Sequence, residues 1–245
     1  MKRLLFMLAF IAMTGLMKAQ PDAGTFSIIP RVGVSVTSLS GYTMKFDFSN
    51  DTRKAQFNPG YMAGLDFQYQ FTKDLAASAG AFYALQGTKF KDIESLKTDQ
   101  GTTYFSGAHD NHINLGYVNV PLLIHWYVYQ GLSLESGVQV GFRVNAKSHY
   151  TYTEYTEKKD DQTGKIERSY AKDADGNLLK DHKYTTDVKN QFKSTDFSIP
   201  IGISYESMNV VLDARYNVGL LNVFKSDGHR RNEVFLFSAG YKFNL

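Results

Sequence analysis

The chain has 245 residues, 43% of them hydrophobic, 21% charged and 14% aromatic; it is too apolar for a disordered polymer and long enough to close one large core or barrel. It contains no cysteine, which excludes a disulfide scaffold, thiolate metal sites and a cysteine nucleophile. The formal charge of +3 rests on Lys2, Arg3 and Lys18, so the remainder is neutral and lacks the basic field of a nucleic-acid binder.

Residues 1–20 read as a cleaved secretory signal peptide. Lys2 and Arg3 form its basic start, Leu4 to Leu16 its apolar stretch, and Met17-Lys18-Ala19 puts a small residue before Gln20. No later run reaches the ~18 apolar residues of a membrane helix. Residues 21–245 read as a single β domain. Period-2 alternation predicts eight strands at about 26–37, 61–71, 75–87, 116–128, 132–144, 197–205, 208–219 and 233–245. In 61–71 the odd positions are Tyr61, Ala63, Leu65, Phe67, Tyr69 and Phe71, and the even ones are mostly polar or small. Nearly all these runs exceed the ~5–6 residues usual in soluble sheets. They match the ~9–11 of a tilted strand crossing a bilayer.

Alternation alone does not say which face is inside. The apolar faces, from Phe26, Ile28, Val32 and Val34 through to Phe237, Ala239, Tyr241 and Phe243, suit lipid or a soluble core. The other face breaks the tie. It carries Arg31, Asp66, Glu135, Arg143, Asp196, Glu206, Asp213, Arg215 and Lys242 beside Gly33, Gly64, Gly80, Gly137, Gly141, Gly202 and Gly240. A solvated strand face seldom holds so many glycines, because glycine weakens strands. A narrow lumen needs them beside long charged side chains that pair across it. Arg31, Arg143 and Arg215 are expected to pair with Asp66, Glu135 and Asp213. The fold class expected is therefore an eight-stranded antiparallel up-and-down transmembrane β-barrel.

Connections at 72–74, 130–131 and 206–208 are short, whereas 38–60, 88–112, 145–194 and 220–232 are long. Strict alternation of short and long is the pattern of outer-membrane barrels, with tight periplasmic turns and extended extracellular loops. Both termini then lie in the periplasm. Tyr69, Phe71, Trp126, Tyr129, Tyr205, Tyr241 and Phe243 fall at that same end as an aromatic girdle. Segment 145–194 holds ten Lys or Arg and nine Asp or Glu, yet Tyr150, Tyr152 and the stretch around Tyr184 alternate with polar residues. It is expected to continue strands five and six beyond the membrane as a protruding hairpin turning at Gly176-Asn177, with edges open to a partner strand.

Little in these loops points to chemistry. His109-Asp110-Asn111-His112 could bind a metal or activate water, but no second acid pair accompanies it. Asp173-Ala174-Asp175-Gly176-Asn177 echoes a calcium loop, but its glycine is misplaced and no bidentate Glu follows. Lys225, His229, Arg230 and Arg231 form a basic patch that could meet lipopolysaccharide phosphate. Pro121 and Pro200 remove ladder donors and are read as bulges. No catalytic residue, metal site or cofactor is expected.

Tyr117-Val118-Asn119-Val120-Pro121-Leu122-Leu123, followed by Gly137 to Phe142, resembles the PorT-like outer-membrane β-barrel family of Bacteroidetes. Asp196 to Tyr205, Arg215-Tyr216-Asn217-Val218-Gly219-Leu220 and the closing Gly240-Tyr241-Lys242-Phe243 extend the resemblance over about residues 25–245. The chain departs from the family in having Asn119 where an acid is common, His125 where a lysine is common, and Leu245 at its end. The resemblance implies a barrel in the outer membrane and, in some relatives, a place in a type IX secretion and gliding machine. The expected role is non-enzymatic display of extracellular loops, with outer-membrane lipid, lipopolysaccharide and envelope or host-surface proteins as partners. A secretion-machine component and a narrow channel or small-ligand carrier are the alternatives.

Overall fold

A computed structural model describes residues 22–160, 162–226 and 228–245; the signal peptide expected over 1–20 lies outside the described residues. The chain order is β1 (Phe26–Leu39), β2 (Thr43–Lys45), β3 (Thr52–Lys54), β4 (Asn58–Gln70), β5 (Leu75–Lys89), β6 (Ile93–Asp99) and β7 (Thr102–Tyr129). It continues with β8 (Leu132–Lys159), β9 (Ile166–Tyr170), β10 (His182–Asp187), β11 (Thr195–Ser207), β12 (Val210–Gly219), β13 (Asn232–Tyr241) and β14 (Phe243–Asn244). Eight of these, β1, β4, β5, β7, β8, β11, β12 and β13, pair antiparallel with their neighbours in sequence. The β1–β13 ladder, from Arg31↔Gly240 to Leu39↔Asn232, closes the ring.

The barrel is inside-out relative to a soluble protein. Val32 is 65% exposed, while its neighbour Arg31 is 3% exposed. The same inversion holds along β4, where Leu65 and Phe67 face out and Asp66 and Gln68 are buried. A wall that turns most of its large apolar residues outward is stable only where the surroundings are hydrocarbon, and closure leaves no unpaired strand edge in it. The interior is layered. Above a belt of buried charges lies an apolar layer of Met62, Phe82, Ala84, Val234 and Leu236.

At the short-turn end, Gln130-Gly131 joins β7 to β8 and Met208-Asn209 joins β11 to β12. Both Met208 (φ 48°) and Asn209 (φ 66°) are left-handed, the conformation a two-residue hairpin needs to follow the strand twist.

The long-loop end departs from the expected layout. β7 and β8 are 28 residues each, about twice what a bilayer requires. They stay paired from Tyr129↔Leu132 out to Thr102↔Lys158. β6 joins the free edge of β7, and β10 and then β9 join the edge of β8 that β11 occupies lower down. The protrusion is therefore built on strands four and five, with β10 resuming the line of strand six after a break at 188–194. It is wider than the hairpin expected, because 88–112 is also largely strand. Pro121 and Pro200 open their ladders without shifting register; the register shifts lie at His109/His112, Gly116/Tyr117 and Tyr127/Tyr129.

Candidate functional site: lumen, mouth and projecting sheet

The alternation of each strand aims one set of side chains at the barrel axis. Five of the six lumen residues singled out from the sequence meet there. Arg31 Nε lies 2.8 Å from Asp66 Oδ2, close but not aligned as a hydrogen bond. Arg215 donates from Nε to Glu135 Oε1 at 2.7 Å and from Nη2 to Asp213 Oδ2 at 3.1 Å. Asp213 is also 4.0 Å from Arg31, which links the two pairs. Interior glycines make the room. A Cβ on Gly202 would sit 2.6 Å from Glu135 Oε1, one on Gly240 would sit 2.8 Å from Arg31 Cγ, and one on Gly80 would collide with Asp66 Oδ1.

Arg143 is the exception. Among the described residues it forms no ion pair with a carboxylate, and its guanidinium donates to the backbone carbonyls of Lys193 (3.0 Å), Lys189 (3.2 Å) and Phe192 (3.4 Å). It stands above the charged belt, at the level where the chain folds back into the mouth. There the nearest acceptors are the carbonyls of a one-turn 3-10 helix, Lys189–Gln191, and its exit. Glu135 takes His125 as its second partner instead, with Nδ1 at 3.2 Å from Oε2 and Nε2 at 2.8 Å from Ser78 Oγ. Nearer the short turns, Lys242 Nζ donates to Glu206 Oε2 at 2.9 Å, and Tyr127 donates to the same oxygen at 3.3 Å. His125 and Lys242 lie on the polar face of the sequence, but their partners depend on register and could not be read from it.

The seven girdle residues Tyr69, Phe71, Trp126, Tyr129, Tyr205, Tyr241 and Phe243 all fall at the short-turn end. All except half-buried Tyr205 are well exposed. A second outward belt of Phe57, Tyr61, Tyr83, Phe142, Tyr216 and Phe235 rings the other end and was not anticipated. Tyr61 and Tyr69 on β4 are separated by ~26 Å along the strand, or ~20 Å along the barrel axis at a tilt of ~40°. That is comparable with the ~25 Å apolar band of outer-membrane barrels.

The mouth is shut. All four long connections send apolar residues into one plug: Tyr42 and Met44, then Phe90, then Val188 and Phe192, then Val223 and Phe224. Phe224 packs against Tyr42 at 4.6 Å and Phe192 at 4.3 Å between ring centroids, and Arg230 lies over both Phe224 and Tyr42. Arg230 of the basic patch is thus engaged with rings of the plug.

Beyond the mouth, rows of side chains cross the projecting sheet. His112 and His149 stack at 4.9 Å, and the His149 imidazole is held below its ordinary pKa, first by partial burial and then by His112 and Lys147. His109 faces Asp92 (3.4 Å) and Glu94 (3.8 Å) through different ring nitrogens. Among the described residues no three metal-ligating side chains converge. Asp173 spends its carboxylate on its own turn, accepting from the backbone of Asp175 and Asn177 and from the Asn177 side chain. These bonds, the last foremost, hold its pKa below the usual carboxylate range. Phe46 and Phe48 of the first long connection pack on Tyr150 and Tyr152 and brace the sheet at its base.

Residues 18–225 match the model of a family described as "Outer membrane protein beta-barrel domain". No curated protein matches in sequence. Among solved structures, the chain resembles Ail, the attachment invasion locus protein of Yersinia pestis, at 15% identity and a TM-score of 0.42, over 90% of this chain and 99% of that one. It resembles Neisserial surface protein A at 12% identity and a TM-score of 0.39, over 90% and 97%. The translocator domain of the autotransporter NalP from Neisseria meningitidis aligns at 10% identity and a TM-score of 0.28, over 98% and 95%.

Proposed function

The chain belongs to the outer-membrane protein β-barrel domain family, and on that premise we propose that it is a non-enzymatic surface protein whose barrel carries a projecting sheet for recognition. One observation carries this reading: β7 and β8 remain paired without interruption of the strands from the barrel wall to the far end of the sheet. Loops that only had to close hairpins would not need such a scaffold, since long ordered connections are usually functional. The alternation of short and long connections supports a periplasmic placement of both termini and an extracellular placement of the sheet. The two aromatic belts suit contact with lipid on one side and lipopolysaccharide on the other. The partner is an envelope or host-surface protein or its glycans. No cofactor or nucleic acid enters this reading.

The motif from Tyr117 to Leu123 supports a finer placement among PorT-like proteins of Bacteroidetes, and with it a role in a secretion or gliding machine as the second reading. A narrow channel is disfavoured by the plug of four loops. The test exploits the register. Phe90 bonds to Asn111, and Lys147 pairs with Asp187, so residues 91–110 and 148–186 can each be replaced by a short Gly-Ser turn without touching barrel or plug. The trimmed protein should fold with heat-modifiable gel mobility and lose binding to cells or envelope partners. Full retention of binding would move recognition to the connections at 38–60 or 220–232.

A further inference from the structure

The outer half of the projecting sheet carries a small cradle. Its volume is about 150 Å³, and Tyr104, Ser106, Glu154, Thr156, Ser169 and Ala171 line it together with the backbone between them. Register explains its shape. Tyr104 pairs with Thr156 and Thr156 with Ser169, while Ser106 pairs with Glu154 one step along, beside Ala171. Directly paired residues share a face of the sheet, so two rows of side chains rise on the same side across three strands. Three strands span ~10 Å and two residues along a strand ~7 Å. That footprint is one six-membered sugar ring.

The chemistry of the two rows is complementary to such a ring. Tyr104, a residue that is 49% exposed, offers an aromatic ring. The Thr156 and Ser169 hydroxyls make no hydrogen bond among the described residues. Glu154 lines the cradle and accepts from the Tyr152 hydroxyl at 3.1 Å through Oε2, which leaves Oε1 without a hydrogen bond among the described residues. On the opposite face Arg168 covers the Tyr155 ring at 4.3 Å and bonds to Glu157, so that side is filled by its own residues.

We propose that this cradle binds a single uncharged pyranose unit of a glycan, by stacking on Tyr104 and hydrogen bonding to Glu154, Thr156 and Ser169. A pyranose presents an apolar C–H face and a rim of hydroxyl donors. Aromatic faces suit the first, and a carboxylate oxygen with a vacant lone pair suits the second. Glu154 lines the cradle, whereas Lys97, which pairs with Tyr104 on β6, does not, so the carboxylate disfavours uronic, sulfated or sialic residues. This inference rests on the surface-recognition reading and names the ligand class for it.

The test is saturation-transfer NMR on the full chain, folded in a detergent without sugar headgroups. The probes are methyl β-galactoside, methyl β-glucoside, methyl α-mannoside, N-acetylglucosamine and sialic acid. Transfer to the ring protons of at least one uncharged sugar and none to sialic acid is expected. Tyr104→Ala and Thr156→Val should each weaken binding about tenfold, the scale of one lost stacking face or hydrogen bond. Tyr104 is exposed, and heat-modifiable mobility confirms that each variant is folded. Transfer from none of the uncharged sugars, or transfer undiminished in both variants, would overturn the inference. If no sugar binds yet excising the sheet abolishes cell binding, the cradle proposal falls and surface recognition stands. If excision leaves cell binding intact, surface recognition by the sheet falls whatever the sugars do.

Discussion

Arg143 and Arg215 are one residue type on similar strand faces, yet they face opposite consequences. Arg215 is enclosed by Glu135 and Asp213, and removing one partner of a buried pair leaves an uncompensated charge. Arg215→Met and Glu135→Gln should each lower unfolding stability by ~3–5 kcal/mol. Arg143→Ala should cost only ~1–2 kcal/mol, because the lost bonds are to carbonyls that water can reach at the mouth. Urea unfolding of the three variants in one detergent checks the ranking, and an Arg143→Ala defect equal to that of Arg215→Met would contradict it. Two residues outside the membrane make the sheet acid-sensitive. The depressed His149 and Asp173 pKa values mean that the folded sheet resists both protonations. Their stabilising effect is full above the ordinary values of ~6.5 and ~3.9 and is lost as pH falls through the lower folded ones. Hydrogen-exchange protection at 147–152, corrected for the intrinsic rate at each pH, should therefore fall on acidification from neutral pH, and that at 173–177 only below the carboxylate range. Asp173→Asn should remove the second step.

At the scale of elements, the barrel strands were legible because a two-faced wall repeats every second residue for ten or more residues. The outer half of β7 was not. Thr102 to Asn111 has no clean two-sided pattern, since neither face of the sheet there packs on a core and its residues are mostly half-buried. The plug was hidden for another reason: Tyr42, Phe90, Phe192 and Phe224 stand singly in polar loops, and only the closed ring brings them together. Pairing within the lumen fared likewise. The polar face was visible, but a choice between Arg143 and His125 as the neighbour of Glu135 depends on stagger. The β11–β12 turn yields a prediction of its own. Met208 holds φ 48°, a conformation that costs an ordinary L-residue ~1–2 kcal/mol and that asparagine tolerates better. Met208→Asn should stabilise the barrel by ~0.5–1 kcal/mol and slow its unfolding, whereas Met208→Val should speed it.

Taken whole, the molecule is a filled cylinder with a closed top. An eight-stranded ring leaves an interior that its own side chains fill; here charges fill the middle and aromatic rings the mouth. Purified protein in planar bilayers should show no steady conductance, and stable single-channel currents would contradict the closed mouth. Phe192→Ala should destabilise by ~3–5 kcal/mol, as expected for emptying a buried aromatic site, without exposing a through path, because the charged belt beneath it remains.

The long ladder between β7 and β8, with its register shifts at His109/His112 and Gly116/Tyr117, also has a mechanical meaning. A partner that grips the tip near Gln100-Gly101 pulls along the strands rather than across them. The load then falls in shear on a ladder running from Thr102↔Lys158 to Tyr129↔Leu132, flanked lower down by β5 and β11. Peeling breaks hydrogen bonds one at a time, but shear must break many at once. A sheet built this way bears a pull on its tip without unzipping the wall that anchors it.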